Sequence, residues 1–217
     1  EPRLVWVHYF DPHAPYAPPE PFRGRHAEQP YYGEVEAMDA DLGRLVTAFD
    51  QAAARAGAPA AIIVAGDHGE GLGDHGEQLH GNLLYQSTMH VPLVIAGPGV
   101  SAGVSEAPVS VRRIYHTVLD WAGLAATDSL RGAAGEIVLG EAMKPYLSYG
   151  WQPQVMAVNG TQKAIVAGTL ETYDLARDPA ERNNLGAGAS LPAAMRTALD
   201  DYPVPTPGSA PSTETLS

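Results

Sequence analysis

Cysteine is absent from the 217 residues, which excludes disulfides, thiolate metal sites and a thiol nucleophile within this sequence. Positive charge is scarce: 13 lysine and arginine residues stand against 25 acidic ones, and the formal net charge is −12. Because clustered cations hold phosphate backbones, this balance argues against a nucleic-acid partner. A protein of this charge that handles an anionic ester has to neutralise it locally, with a metal ion or a few placed cations.

Long hydrophobic runs are absent too. The longest, residues 60–65, is far shorter than the roughly 20 residues that span a bilayer, so we expect no transmembrane segment. The sequence opens on Glu1 rather than methionine and runs straight into a strand-like segment. We therefore expect a piece of a longer protein, in which a missing signal peptide does not decide the compartment. Oligomeric state cannot be inferred from this sequence.

Hydrophobic patterning in the first two thirds of the chain predicts alternating strands and helices. Apolar runs typical of buried strands occupy Leu4–Phe10, Ala60–Gly66 and Val91–Ala96. Apolar residues at helical spacing predict helices over Tyr32–Gly57 and from Val111 to Ala122. A helix between two such strands indicates a right-handed βαβ unit, and hence an α/β fold with a parallel-sheet core.

The pattern changes after about residue 145. Short strand candidates at 146–149, 155–158, 163–167 and 171–175 are separated by turn signals, one of which is Asn159-Gly160. They predict a small antiparallel β subdomain, followed by a helix near Pro192–Asp200. The resulting division is 1–145 for the α/β core, 146–201 for the subdomain and 202–217 for a flexible tail rich in proline, serine and threonine.

The segment from Gly66 to Gly81, GDHGEGLGDHGEQLHG, carries most of the expected chemistry. Asp67 and His68 directly follow a predicted strand, where ligands bind in open parallel sheets. A carboxylate and an imidazole side by side are suitable ligands for a divalent cation. His13 follows another predicted strand and would lie at the same sheet edge. An isolated Asp-His-Gly is as often a simple turn, so the second landmark is what favours a metal site.

Four phrases, in order and at suitable spacing, resemble the central and C-terminal landmarks of sulfatases, which belong to the alkaline phosphatase superfamily. They are HYFDPHAPYAPP, AGDHGEGLGDHGE, HGNLLYQSTMHVPLVIAGPG and ETYDLARDPAERNNL, and the resemblance covers residues 3–186. It implies an alkaline-phosphatase-like α/β fold and divalent-metal-dependent hydrolysis of sulfuric esters. The implied substrate is a small-molecule or glycan sulfate ester.

The same resemblance implies roles for individual residues. Asp67 and His68 would complete a divalent metal site, usually calcium, whose second position is Asn or His in sulfatases. Because His68 is a softer ligand than Asn, manganese and zinc remain open. His13 matches the family histidine that contacts the sulfate group. His80 falls where many sulfatases have a lysine that grips the sulfate, and a histidine is a weaker and only partly protonated substitute.

The family's nucleophile signature, Cys/Ser-x-Pro-x-Arg, is not found in the sequence. We expect it to lie before Glu1, and we expect the 217-residue chain to be inactive by itself. Two alternatives stay open: a phosphonate or phosphate ester hydrolase or phosphoryl transferase of the same superfamily, and a non-catalytic domain that binds a partner or an anionic glycan. Sulfated substrates are mostly extracytoplasmic, which favours a periplasmic or secreted protein.

Overall fold

Helices and short strands alternate in the computed structural model, which describes residues 3–131 and 136–205. The helices are α1 (Phe22–Arg25), α2 (Pro30–Ala56), α3 (Gln86–Met89), α4 (Arg113–Trp121), α5 (Lys144–Tyr149) and α6 (Ala193–Asp200). The strands are β1 (Ile62–Ala65), β2 (Leu93–Ala96), β3 (Ile137–Ala142), β4 (Gln154–Asn159), β5 (Gln162–Val166) and β6 (Leu170–Asp174). The predicted tail lies outside the described residues from position 206 onward.

The chain divides into two compact units. The first contains the described residues 3–64 and 94–102, and the second contains 65–93, 103–131 and 136–205. Strands β1 and β2 pair in a two-stranded sheet. Both were predicted, with bounds one to two residues wider. The α/β content of the chain is thus confirmed, whereas a larger parallel core stays a prediction.

The predicted strand over Leu4–Phe10 is wrong. These residues have no regular secondary structure, and Leu4 and Trp6 are 72% and 78% exposed. An extended segment becomes a strand only when a neighbour pairs with its N–H and C=O groups. The composition of the segment is typical of a strand, but no strand among the described residues pairs with it. The βαβ unit predicted from this segment, α2 and β1 is therefore not observed in the described residues.

The first unit is built around α2, which confirms the helix predicted from apolar spacing. Pro30 lies at its first position, and Gly57 ends it in the left-handed conformation with φ +62°. The proline-rich loop packs closely on its first turn, because a Cβ on Gly33 would lie 2.7 Å from the Pro18 side chain. Among the described residues, no helix is both long and apolar enough to cross a membrane.

The second unit contains a four-stranded antiparallel sheet in the order β3-β4-β5-β6. Alternation along its strands separates two apolar clusters. Met156, Val158 and Ile165 pack with Leu84 on one face, while Ala157 and Ala164 pack against Met195 of α6 on the other. The small alanine side chains let α6 approach the sheet closely. This confirms the antiparallel sheet and the helix after it, whereas the predicted domain boundary at residue 145 stays a prediction.

Two details of this unit differ from the prediction. The segment 146–149 is not a strand but part of α5, because Pro145 starts a helix and Gly150, with φ +69°, ends it. Strand β3 was missed, since its short apolar run carries no strand signal of its own. The hairpin at Asn159-Gly160 is confirmed one residue later: Asn159 pairs with Gln162, and Gly160 and Thr161 form the turn.

Candidate active site

The residues after β1 form a long loop that folds back on itself, and we call residues 67–90 the site loop. Three glycine N–H groups close it: Gly69 donates to Thr88 O at 2.8 Å, Gly71 to Leu79 O at 2.7 Å and Gly73 to Glu77 O at 2.8 Å. A Cβ on Gly69 would collide with the Ser87 carbonyl oxygen. Gly69 and Gly71 are therefore required by close approach of backbone to backbone.

Replacing Gly71 by alanine is expected to lower the free energy of unfolding by about 1–3 kcal/mol, the usual cost of forcing atoms into a packed interior. Its Cβ would lie 2.7 Å from Leu79 O and would also collide with Glu77 O. Gly43→Ala is the matched control, because nothing lies within 4 Å of a Cβ at that position in α2. That change should stabilise the protein by about 0.5–1 kcal/mol. Urea denaturation of the two variants measures both effects, and equal shifts would contradict the close approach.

Asp67 and His68 are exposed at the end of β1, with 75% and 44% of their side chains accessible. The backbone N–H of His68 donates to Asp67 Oδ1 at 3.0 Å. His68 Nδ1 lies 2.8 Å from the carbonyl oxygen of Gly69, which can only accept, so Nδ1 is the donor and Nε2 is the ring nitrogen left for a metal ion. That Nε2 is 3.8 Å from Asp67 Oδ2. Since metal–ligand bonds are about 2.0–2.6 Å long, these two atoms can share one ion.

The two donors do not make a complete metal site. In the parts of the chain that the structure describes, no group of three or more histidine, aspartate or glutamate side chains could hold a metal ion. Asp67 and His68 fit as part of a ligand set, and a carbonyl contact on Nδ1 is the usual way in which a ligating histidine is oriented.

His80 lies next to this pair although twelve residues separate it from His68. Its ring stacks on that of His68, with centroids 3.9 Å apart and an interplanar angle of 30°. His80 Nδ1 is 3.2 Å from Oε1 of Glu70, whose side chain is 4% exposed. The buried carboxylate accepts from Nδ1 and thereby orients the ring. Glu70 was missed by sequence reasoning, although an acidic residue in a glycine-rich loop with no obvious solvent face was a usable signal.

His13 belongs to the first unit, whereas Asp67, His68 and His80 belong to the second. Its N–H donates to Glu34 Oε2 at 3.0 Å, and its Nδ1 lies 2.7 Å from Ala14 O. Glu34, 4% exposed, also accepts from the Ala17 N–H at 2.5 Å. This carboxylate at the start of α2 therefore shapes the proline-rich loop around His13. That His13 acts together with the other three stays a prediction.

A buried ion pair connects the antiparallel sheet to the site loop. Lys163 of β5 and Glu181 have side chains 0% and 1% exposed, and Lys163 Nζ lies 2.7 Å from Glu181 Oε1. The Gln86 N–H donates to Glu181 Oε2 at 2.6 Å, and Lys163 Nζ donates to Gln86 Oε1 at 3.1 Å. Burial lowers the pKa of Lys163, and the charge of Glu181 partly offsets this. These three residues, the Glu181 network, hold the second half of the site loop.

Sequence reasoning missed the Glu181 network, although a signal was present. Lys163 stands in the run QKAIV, directly before Ala164 and Ile165, and a lysine at such a position has to find a buried partner. The partner could not be named, because Lys163 and Glu181 are 18 positions apart in the sequence. The Glu181 backbone has φ +54°, a left-handed conformation that a non-glycine residue adopts only when its surroundings impose it.

Asp74 forms a second link between the loop and the segment after β6. Its Oδ1 is 2.5 Å from an Arg182 guanidinium nitrogen, and its Oδ2 is 2.9 Å from His75 Nδ1. The His75 ring stacks on that of Tyr85, with centroids 3.6 Å apart, so this histidine packs within the site loop. Burial raises the pKa of Asp74, but the hydrogen bond and charge of His75 and the charge of Arg182 outweigh it, so this pKa lies below 3.8.

This lowered pKa predicts a loss of stability in acid. A carboxyl group whose pKa is lower in the folded state stabilises the protein above its unfolded pKa, and that contribution is lost as the pH falls below 3.8 through the folded pKa. Asp74→Asn is expected to cost about 0.5–1 kcal/mol at pH 7, as for partly exposed ion pairs, and less at pH 3. Urea denaturation at both pH values measures this. Asp50→Asn, on the exposed side of α2, is the control, and a cost that does not change with pH would contradict the prediction.

Comparison with known proteins places these features in a family. The model of the sulfatase family matches residues 1–124. Human arylsulfatase K is 35% identical over 103 residues, which are 47% of this chain and 19% of that protein. The solved structure of a 2-O GAG sulfatase superposes with a TM-score of 0.62 at 23% identity, over 83% of this chain and 43% of that one.

The fold is shared more widely than sulfatases. A phosphonate monoester hydrolase of Agrobacterium radiobacter superposes with a TM-score of 0.58 at 24% identity, over 80% of this chain and 40% of that one. In each of these comparisons the chain spans less than half the length of its relative. The family match covers more than half of the chain and includes β1, Asp67, His68 and His80. The chain therefore belongs to the sulfatase family.

Proposed function

We propose that the protein containing this chain is a divalent-metal-dependent hydrolase of sulfuric esters that acts on a small-molecule or glycan sulfate ester. The observation that carries the proposal is the cluster after β1, in which the Asp67–His68 pair and the stacked His80 ring lie together. Family membership supports the reaction, because arylsulfatase K and the 2-O GAG sulfatase are named for sulfate esters.

Asp67 and His68 are the proposed metal ligands in this chain. A carboxylate oxygen suits calcium, while the imidazole nitrogen also accepts manganese or zinc. A bound divalent ion would supply Lewis-acid stabilisation of charge on the sulfate group. The chain itself keeps the two donor atoms 3.8 Å apart and sets the orientation of the His68 ring through Gly69.

His80 and His13 are the proposed contacts to the sulfate group. The hydrogen bond between His80 Nδ1 and Glu70 orients the His80 ring, which stacks on His68. A preorganised donor next to the metal ligands can stabilise negative charge as it develops on the transferred group. Glu34 positions His13 in a comparable way, because its carboxylate accepts a hydrogen bond from the His13 backbone N–H. Glu70 and Glu34 are positioning residues in this proposal.

The test is hydrolysis by the full-length natural protein of an aryl sulfate and an aryl phosphonate monoester. The protein is stripped with a chelator and then given calcium, manganese or zinc separately. We expect the sulfate to be cleaved faster, with calcium the best ion. Preferential cleavage of the phosphonate would replace the proposal with a phosphonate ester hydrolase. Binding of inorganic sulfate without cleavage of either ester, with any ion, would replace it with a non-catalytic anion-binding protein.

A further inference from the structure

Only two lysines occur among the 217 residues, Lys144 and Lys163. Lys163 is fully buried, and its ammonium is paired with Glu181, so it has no access to a ligand. Lys144 is exposed at the first position of α5. In the described part of the chain, no carboxylate oxygen lies within the 4.0 Å that would make an ion pair with its ammonium. Of the two lysines, Lys144 is therefore the one available to an anion.

The Lys144 side chain lies against the site loop, 63 residues earlier in the sequence. Its Cδ is 3.4 Å and its Nζ 3.9 Å from the point that a Cβ on Gly81 would occupy. Gly81 has φ +90°, so a larger residue there would be strained. The distances to its Cβ position are ordinary van der Waals contacts, so the lysine stem packs along the backbone of Gly81 and the ammonium lies beside the residue that directly follows His80.

The residues of the proposed site carry negative charge, which favours a nearby cation for binding an anionic substrate. Within the site loop, the proposed site contains the carboxylates of Asp67 and Glu70. A sulfate group bound beside these carboxylates would need a nearby positive charge to offset their repulsion, and a lysine ammonium is a compact one. Lys144 supplies such a charge from a different element of the same compact unit.

We propose that Lys144 binds the sulfate group of the substrate. This inference rests on the proposed function, because it assigns a further residue to the same site. A lysine on a flexible stem can reach over Gly81 and donate to a sulfate oxygen. Charge-assisted hydrogen bonds of this kind are about twice as strong as neutral ones.

The experiment compares Lys144→Ala and Lys144→Arg in the full-length protein, with Arg196→Ala as the matched control. Arg196 is an exposed cation of α6 in the same unit. Its replacement by alanine removes one positive charge at a place away from the proposed site. The readouts are KM and kcat for an aryl sulfate and the inhibition constant of inorganic sulfate, at low and high salt. We expect Lys144→Ala to raise KM and the inhibition constant roughly tenfold at low salt and less at high salt.

Lys144→Arg should stay within about threefold of the natural protein, since the positive charge is kept. Unchanged KM and sulfate inhibition in Lys144→Ala, or an equal loss in Arg196→Ala, would overturn the assignment of Lys144 while an active natural protein still supports the proposed function. A natural protein that neither cleaves the aryl sulfate nor binds inorganic sulfate would overturn both. Thermal unfolding should be the same in all variants, because the two side chains are exposed.

Discussion

Replacing Glu181 by glutamine is expected to lower the free energy of unfolding by about 3–5 kcal/mol, the cost of leaving a buried charge without its partner. The charge in question is the ammonium of Lys163, which is 0% exposed and lies 2.7 Å from Glu181 Oε1. The same carboxylate accepts from the Gln86 N–H at 2.6 Å. The loss should therefore also loosen the site loop around Gln86, and hydrogen exchange of amides in residues 83–90 should report it.

Two controls separate the buried charge from the general effect of losing a carboxylate. Asp41→Asn removes an exposed partner of Arg44 and should cost less than about 1 kcal/mol. The double change Lys163→Met with Glu181→Leu should recover most of the loss, because an apolar pair of similar volume avoids burying charge. Urea denaturation measures all three proteins. A single Glu181→Gln change that costs no more than Asp41→Asn would show that the Glu181 network does not stabilise the sheet against the site loop.

Asp67→Ala is expected to reduce kcat/KM of the full-length protein for an aryl sulfate by about 100-fold to 1,000-fold, which corresponds to about 3–4 kcal/mol of transition-state stabilisation. The physical reason is the loss of the anionic donor of the Asp67–His68 pair, which should also weaken calcium binding. Isothermal titration with calcium measures the binding separately from the rate. Because Asp67 is 75% exposed, its removal should leave the unfolding temperature nearly unchanged.

The matched variants for this prediction are His68→Asn and Asp50→Ala. Asparagine keeps an oxygen ligand at position 68, so His68→Asn should stay within about tenfold of the natural rate and shift the preference further toward calcium. Asp50→Ala removes one exposed carboxylate of α2 and should change neither rate nor calcium affinity. Normal activity and normal calcium affinity in Asp67→Ala would remove Asp67 from the metal site.

The elements that were predicted correctly have local signals. Helix α2 is specified by apolar spacing, Pro30 at its start and Gly57 at its end, all within 28 residues. The β4-β5 hairpin is specified by alternating side chains around one turn that contains Gly160. In the two wrongly predicted segments, strand-like composition alone did not decide the conformation. Leu4–Phe10 has strand composition but no pairing partner among the described residues, and the helix signals of Pro145 and Gly150 overruled the apolar residues between them.

The candidate site divides in the same way. The Asp67–His68 pair was predictable because the two ligands are neighbours in sequence and follow a strand. His80 was predictable only through a family resemblance, since stacking on His68 depends on how the glycines fold the site loop. Glu70 is ten residues from His80, and no pattern in the sequence pairs them.

By itself, the sequence determined the family, the helices and strands that have local signals, and the identity of two adjacent metal-ligand candidates. The tertiary structure alone decided that Glu181 meets Lys163 inside the protein and that the Lys144 side chain lies against Gly81. The physical reason is distance along the chain. Periodicity and turn chemistry act over a few residues, whereas these contacts join residues 18 and 63 positions apart and exist only after burial has brought the sheet, α5 and the site loop together.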